Sequence, residues 1–180
     1  RDSIMATHAA MVDYVDMNIG KILDKLEELN DLDNTLILFM SDNGAQSSLD
    51  DPNRWLWAEG KQSDFSQPIG SMGRWTSLSQ SWSNVSNTPF RFYKAYSHEG
   101  GISTPLIVYW KGRIVKPGSV SEFPAHLIDI MPTIMEVTGA DYPKRYNNED
   151  INPVDGISLL PIINNEKIKR NDPLFWKWLD

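Results

Sequence analysis

The chain has 180 residues, a hydrophobic fraction of 41% and a net charge of −7, so it folds rather than staying disordered and supplies one sizeable core or part of a larger one. The acidic balance argues against nucleic acid as a partner, because phosphate binding needs clustered Lys and Arg, and no apolar run approaches the ~20 residues of a membrane span. Cysteine is absent, which excludes disulfides, thiolate metal ligands and a cysteine nucleophile within these residues.

Ile4, Met11, Val12, Val15, Ile19, Ile22, Leu23, Leu26 and Leu29 recur at helical spacing. They predict an amphipathic helix over Ile4–Leu29, with Asp and Glu on its other face. "NDLDN" breaks it. Thr35–Met40 is a short apolar run that suits a strand buried in a parallel sheet. Ala45–Thr88 is rich in Ser, Gly, Asn and Trp, has no clean period, and predicts a long irregular segment. Pro105–Trp110 reads as a second buried strand. Ala125–Thr138 reads as a helix stopped by Gly139, and a polar loop follows. Ile157–Ile163 is apolar, and "DPLFWKWL" reads as the opening of another strand. Helix and strand in alternation predict an α/β fold with both strands in one mostly parallel sheet and the first helix on one face.

The first strand ends on "SDNG" (Ser41–Gly44). In α/β sheets ligands gather beyond the carboxyl ends of strands. An ionised Asp42 and the amide oxygen of Asn43 together suit a hard divalent cation. The same four residues are also ordinary turn chemistry. Lys94 precedes Glu99 by five residues, and a lysine beside a metal can bind an anionic oxygen as a point charge; a solvated surface lysine is the plain alternative. His98 is a second candidate for such a pocket or else a surface histidine. Trp55, Trp57, Trp75 and Trp82 either line a substrate entrance or pack a long loop. His8 reads as packing, His126 as a hydrogen-bonding residue near Asp129, and Glu99 as orienting the Gly100-Gly101 turn.

"MVDYVDMNIGKILDKLEELNDLDNTLILFMSDNGA", "SNTPFRFYKAYSHEGGISTPLIVYW", "HLIDIMPTIMEVTGADYP" and "VDGISLLPII" follow one another in this order. As an ordered set they resemble the later part of type I sulfatases, the arylsulfatase family of the alkaline-phosphatase-like superfamily. The resemblance implies a partial alkaline-phosphatase-like sandwich and a sulfate ester, aryl or carbohydrate, as substrate. It implies Asp42 and Asn43 as two ligands of a single Ca²⁺ and Lys94 as the lysine that contacts the sulfate. Superfamily relatives that cleave phosphate or phosphonate esters commonly carry His where Asn43 stands. A periplasmic or extracellular location is a further implication.

The family's nucleophile is a formylglycine made from Cys/Ser-x-Pro/Ala-x-Arg. Ser66-Gln67-Pro68 and Ser103-Thr104-Pro105 each lack the Arg, so the motif is absent. The expectation is therefore an internal piece of a sulfatase: residues 1–170 from the catalytic domain and 171–180 opening a small terminal subdomain. Such a piece is expected to be inactive alone, to bind calcium weakly and to self-associate through exposed apolar surface. Two alternatives stay open, a phosphoester or phosphonate hydrolase of the same superfamily and a non-catalytic module for anionic sugars.

Overall fold

The helical spacing after Ile4 becomes one long helix, α1 (Asp2–Glu28), with Asp2 in its first turn and Lys25 in its last, the order that a helix dipole favours. The computed structural model describes residues 2–48, 55–56 and 61–177. They pack as two units. One comprises the described residues of Arg1–Asp31, Met40–Leu106 and Trp176–Asp180; the other comprises Leu32–Phe39 and Ile107–Phe175. Among the described residues no helix is long and apolar enough to cross a membrane.

In the first unit α1 buries none of its residues. Its apolar stripe is at the surface, with Met11 63% and Ile22 61% exposed. Ile4, Ile19, Leu23 and Leu26 of the same stripe are half-buried, so the sequence period marks a face that is covered only in part among the described residues. The long Ser- and Asn-rich segment contains a helix that the period hides, α2 (Ser79–Ser86). Ser and Asn are poor helix formers because their side chains compete for backbone groups. Here that competition is turned inward. Asn84 Nδ2 donates to Gln80 O at 3.0 Å and Ser86 Oγ to Trp82 O at 3.0 Å. The fully buried Ser83 donates from Oγ to Gln46 O at 2.8 Å, where Ser77 Oγ also donates at 3.1 Å. A short antiparallel pair, β2 (Trp55–Leu56) and β3 (Lys61–Gln62), lies earlier in the same segment. The Asp64 carboxylate then accepts from Ser66 Oγ at 2.6 Å and Ser66 N at 2.9 Å. Those bonds hold its pKa below the ordinary Asp value. Such segments satisfy their backbone through side chains rather than a ladder.

β1 (Ile37–Met40) and β4 (Leu106–Tyr109), in the second unit except for Met40 and Leu106, are neighbours in a two-stranded sheet, at the two apolar runs read as strands. The helix expected over Ala125–Thr138 is a 3-10 turn (Leu127–Asp129) followed by α4 (Ile130–Thr138). It starts late because His126 caps it: its Nδ1 accepts from Ile128 N at 3.3 Å, and Asp129 Oδ2 accepts from His126 N at 2.8 Å. Gly139 closes α4 in the left-handed conformation, φ 69°. The polar loop holds a hairpin, β5 (Arg145–Tyr146) and β6 (Glu149–Asp150), turned by Asn147 and Asn148 at φ 49° and 66°. Two successive left-handed residues suit a two-residue hairpin turn, and "NN" was its legible signal. Ile157–Ile163 leads into α5 (Leu160–Ile163).

Asp129 is the buried hub of this unit. Its carboxylate is fully buried, accepts from Ile157 N at 2.9 Å and pairs with Arg170 Nη2. A Cβ at Gly156 would fall 2.5 Å from Ile128 O, so only glycine lets residue 157 reach the carboxylate. Thr133 Oγ1, also fully buried, donates to Asp129 O at 2.6 Å and accepts from Leu159 N at 2.8 Å.

The strand expected at "DPLFWKWL" is a correction. Residues 172–177 form no strand, and Phe175 is 84% exposed. A strand exists only within a ladder, and residues 172–177 belong to none of the sheets among the described residues. Trp57 and Trp178 lie outside the described residues.

Replacing Arg170 by Met keeps the apolar stem and leaves the Asp129 carboxylate buried without its cation. Chemical denaturation of Arg170→Met is expected to show a loss of about 3–5 kcal/mol. A loss below about 1 kcal/mol would mean that the pair behaves as a surface ion pair.

Candidate active site

Asp42 and Asn43 are held by a backbone bend that only one residue type allows. β1 ends at Met40, and Ser41 Oγ donates to Asn43 O at 2.8 Å, tightening the turn. Gly44 N then donates to Gly101 O at 3.0 Å. A Cβ on residue 44 would stand 1.8 Å from Gly100 O, well inside any allowed contact. Gly44 is therefore required for approach to the Gly100-Gly101 pair, which is itself buried.

The next two residues fix Lys94. Ala45 N donates to Asn87 Oδ1 at 3.1 Å, and Asn87 Nδ2 donates to Phe92 O at 3.0 Å. Lys94 N donates to Ala45 O at 3.1 Å. Thr104 Oγ1 donates to Ser41 O at 2.7 Å from the far side of the short helix α3 (Glu99–Ile102). The segment that presents Lys94 is strained. Phe92 and Ala95 lie at φ 64° and 75°, a region that costs side-chain-bearing residues on the order of 1–3 kcal/mol each.

Asp42, Asn43 and Lys94 line one cavity of about 160 Å³, together with Tyr96, Gly101 and Trp176. These three predicted residues are thus brought together. His98 is not among the lining residues. It precedes α3 and sets its ring edge-on against Phe92, centroids 4.5 Å apart. Trp75 and Trp82 are half-buried and away from this lining. Asn87, Tyr96 and Trp176 were not singled out by sequence. Asn87 works through its position between two distant backbone groups, which no local pattern reveals. Burial pushes the Tyr93 phenol above its ordinary value, with the neighbouring Tyr96 adding to it, so Tyr93 stays protonated at neutral pH.

The donor set fits a hard cation in kind. Asp42 offers carboxylate oxygens. The Asn43 amide nitrogen donates to Gly44 O at 3.1 Å, which leaves Oδ1 for a ligand. In number the set is partial, since no group of three or more His, Asp or Glu able to hold a metal occurs among the described residues, and Ca²⁺ takes 6–8 oxygens.

The sulfatase family model matches residues 1–140. The chain is 32% identical over 82% of its length to an uncharacterised sulfatase of Schizosaccharomyces pombe, covering 27% of that protein. It is 31% identical over 88% of its length to an arylsulfatase of Klebsiella aerogenes, covering 34% of that protein. With human steryl-sulfatase it shares 30% identity over 91% of its length and covers 22% of the relative. The crystal structure of Ps i-CgsB in complex with k-i-k-neocarrahexaose aligns with a TM-score of 0.55 at 29% identity, over 88% of this chain and 26% of that one. The chain thus spans about a quarter to a third of the first two relatives.

Gly44→Ala tests the bend directly. It is expected to cost about 3 kcal/mol or more in thermal or chemical unfolding. A variant as stable as the parent would show that the close approach at Gly100 is not needed.

Proposed function

This chain belongs to the sulfatase family, and we propose that the protein carrying it hydrolyses a sulfate monoester to an alcohol and inorganic sulfate. One observation carries the reading. Asp42, Asn43 and Lys94, the positions that the family pattern marks, line the same cavity.

In this reading Asp42 and Asn43 hold Ca²⁺ through a carboxylate and an amide oxygen, and other parts of the protein complete the shell. Once bound, the ion supplies positive charge that withdraws electrons from a sulfate oxygen. Lys94 adds an ammonium with three donors, a compact charge for a second sulfate oxygen as negative charge grows on it. The backbone bond from Lys94 to Ala45 fixes that lysine relative to the Asp42-Asn43 bend, so the two charges act on one substrate group. The reaction adds one water across the ester: the alcohol leaves with a proton, and sulfur keeps the new oxygen. The nucleophile is a formylglycine outside this chain, which lacks the Cys/Ser-x-Pro/Ala-x-Arg motif. His98, set edge-on against Phe92 and outside the cavity lining, is the remaining substrate-binding candidate. β1 and β4 belong to a larger, mostly parallel sheet of the alkaline-phosphatase-like type. Residues 171–180 open a small terminal subdomain after the catalytic portion at 1–170. The alcohol is aryl or carbohydrate, and the compartment is periplasmic or extracellular.

The exposed part of the α1 stripe, Met11, Val12, Val15 and Ile22, supports self-association of the isolated chain, which is expected to be inactive. Sedimentation is expected to give species larger than a monomer; a clean monomer would contradict it.

In the full-length protein Asp42→Ala is expected to remove bound calcium and turnover together. Lys94→Ala is expected to keep calcium and lower kcat by about 10²–10³-fold. Metal analysis and kinetics with an aryl sulfate check both. Full calcium and full rate in Asp42→Ala would leave "SDNG" as a plain turn.

A further inference from the structure

Asn87 ends α2 and reaches from it to both sides of the site. Its backbone N donates to Ser83 O at 3.1 Å, and its O accepts from Phe90 N at 2.9 Å. Its side-chain Oδ1 accepts from Ala45 N at 3.1 Å, and its Nδ2 donates to Phe92 O at 3.0 Å. Ala45 directly follows the Asp42-Asn43-Gly44 bend, and Phe92 lies two residues before Lys94. One amide therefore ties the bend that carries the proposed cation ligands to the segment that carries the proposed sulfate lysine. Asn87 itself does not line the cavity.

The base of this strut is fixed. Ser83, one turn earlier in α2, is fully buried and donates from Oγ to Gln46 O at 2.8 Å, so α2 is pinned to the residue after Ala45. The far end of the strut bears on strain. Phe92 and Ala95 lie on either side of Lys94 at φ 64° and 75°, a conformation that side-chain-bearing residues keep only where the surroundings hold them. Asn87 Nδ2 grips the carbonyl of Phe92 itself. The bend keeps its own bonds from Ser41 and Gly44 without Asn87. The strained Lys94 segment is therefore the part that moves when the amide is lost.

The contact also dictates the residue type. Ala45 N can only donate and Phe92 O can only accept, so the bridge needs one acceptor and one donor on the same short side chain. Asn offers both. An ionised Asp of the same size offers acceptors alone, and Gln is one methylene longer.

We propose that Asn87 is a positioning residue for sulfate ester hydrolysis. It holds Lys94 at its working distance from the Asp42-Asn43 cation site and touches neither substrate nor cation. The assignment rests on the sulfatase reading and goes beyond it by naming a residue outside the cavity that acts through Lys94.

The test is a double-mutant cycle in the full-length protein with three readouts: calcium content, binding of inorganic sulfate, and kcat with phenyl sulfate. Asn87→Ala is expected to keep the parent's calcium, to bind inorganic sulfate more weakly and to lower kcat by about 10–10²-fold. In a Lys94→Ala background the same substitution should change kcat and sulfate binding by no more than about twofold, because the group through which Asn87 acts is already gone. A merely structural residue would lower both by the same factor with or without Lys94. Asn87→Asp keeps the size and the acceptor for Ala45 N and removes the donor to Phe92 O. It should repeat the loss, and the cycle stands on it if Asn87→Ala does not fold. Full kcat in both variants, equal losses in both backgrounds, or loss of calcium together with rate overturns this assignment and leaves the sulfatase reading intact. Absence of turnover by the parent protein overturns the sulfatase reading and this assignment with it.

Discussion

The approach of Gly44 to the Gly100-Gly101 pair is the contact on which the site depends. It joins the bend after β1 to a segment 56 residues further along the chain, from Gly44 to Gly100, and closing a loop of that length costs chain entropy. One hydrogen bond, from Gly44 N to Gly101 O at 3.0 Å, could not hold that junction alone. It is reinforced by Asn87, whose amide bonds both Ala45 and Phe92, and by the Lys94–Ala45 backbone bond. Because neither backbone carries a Cβ at the crossing, the strands of chain meet at hydrogen-bonding distance. The side chains of Asp42, Asn43 and Lys94 can then share one small cavity.

The same principle runs through the first unit. Its core is small: Leu78 and Tyr93 are its buried apolar side chains among the described residues. Much of its order comes from Ser and Asn side chains bonded to distant carbonyls and amides, such as Ser83 and Ser77 to Gln46. Buried hydrogen bonds of this kind contribute about 1 kcal/mol each but are costly to leave unmade, so they specify where a loop runs more than they stabilise it. The second unit uses one buried ion pair, Arg170 with Asp129, to the same end.

The sequence revealed elements with a strong period and single residues with distinctive chemistry. The first helix, both apolar strands and the Gly139 stop could be read because period and capping act locally. Asp42, Asn43 and Lys94 could be named because their residue types and order fit one family pattern. Other features depend on contacts between residues far apart. Helix α2 is built of weak helix formers and holds through Ser83 reaching Gln46. Asn87 matters only through partners 42 and 5 residues away. Tyr96 and Trp176 come to the same cavity across 80 positions of sequence. Over its described residues, 172–177, the "DPLFWKWL" strand is not formed: alternation is necessary for a half-buried strand but does not by itself place a segment in a sheet.

The central claim is that a single cation and a sulfate group meet where Asp42, Asn43 and Lys94 converge. Long-wavelength anomalous diffraction from crystals of the full-length protein, grown with calcium and a sulfate ester analogue, tests it most directly. The account predicts a calcium peak about 2.3–2.6 Å from an Asp42 carboxylate oxygen and from Asn43 Oδ1, with a sulfate oxygen within hydrogen-bond reach of Lys94 Nζ. A calcium peak on other ligands, with Asp42 and Asn43 bonded only to their own turn, would contradict it.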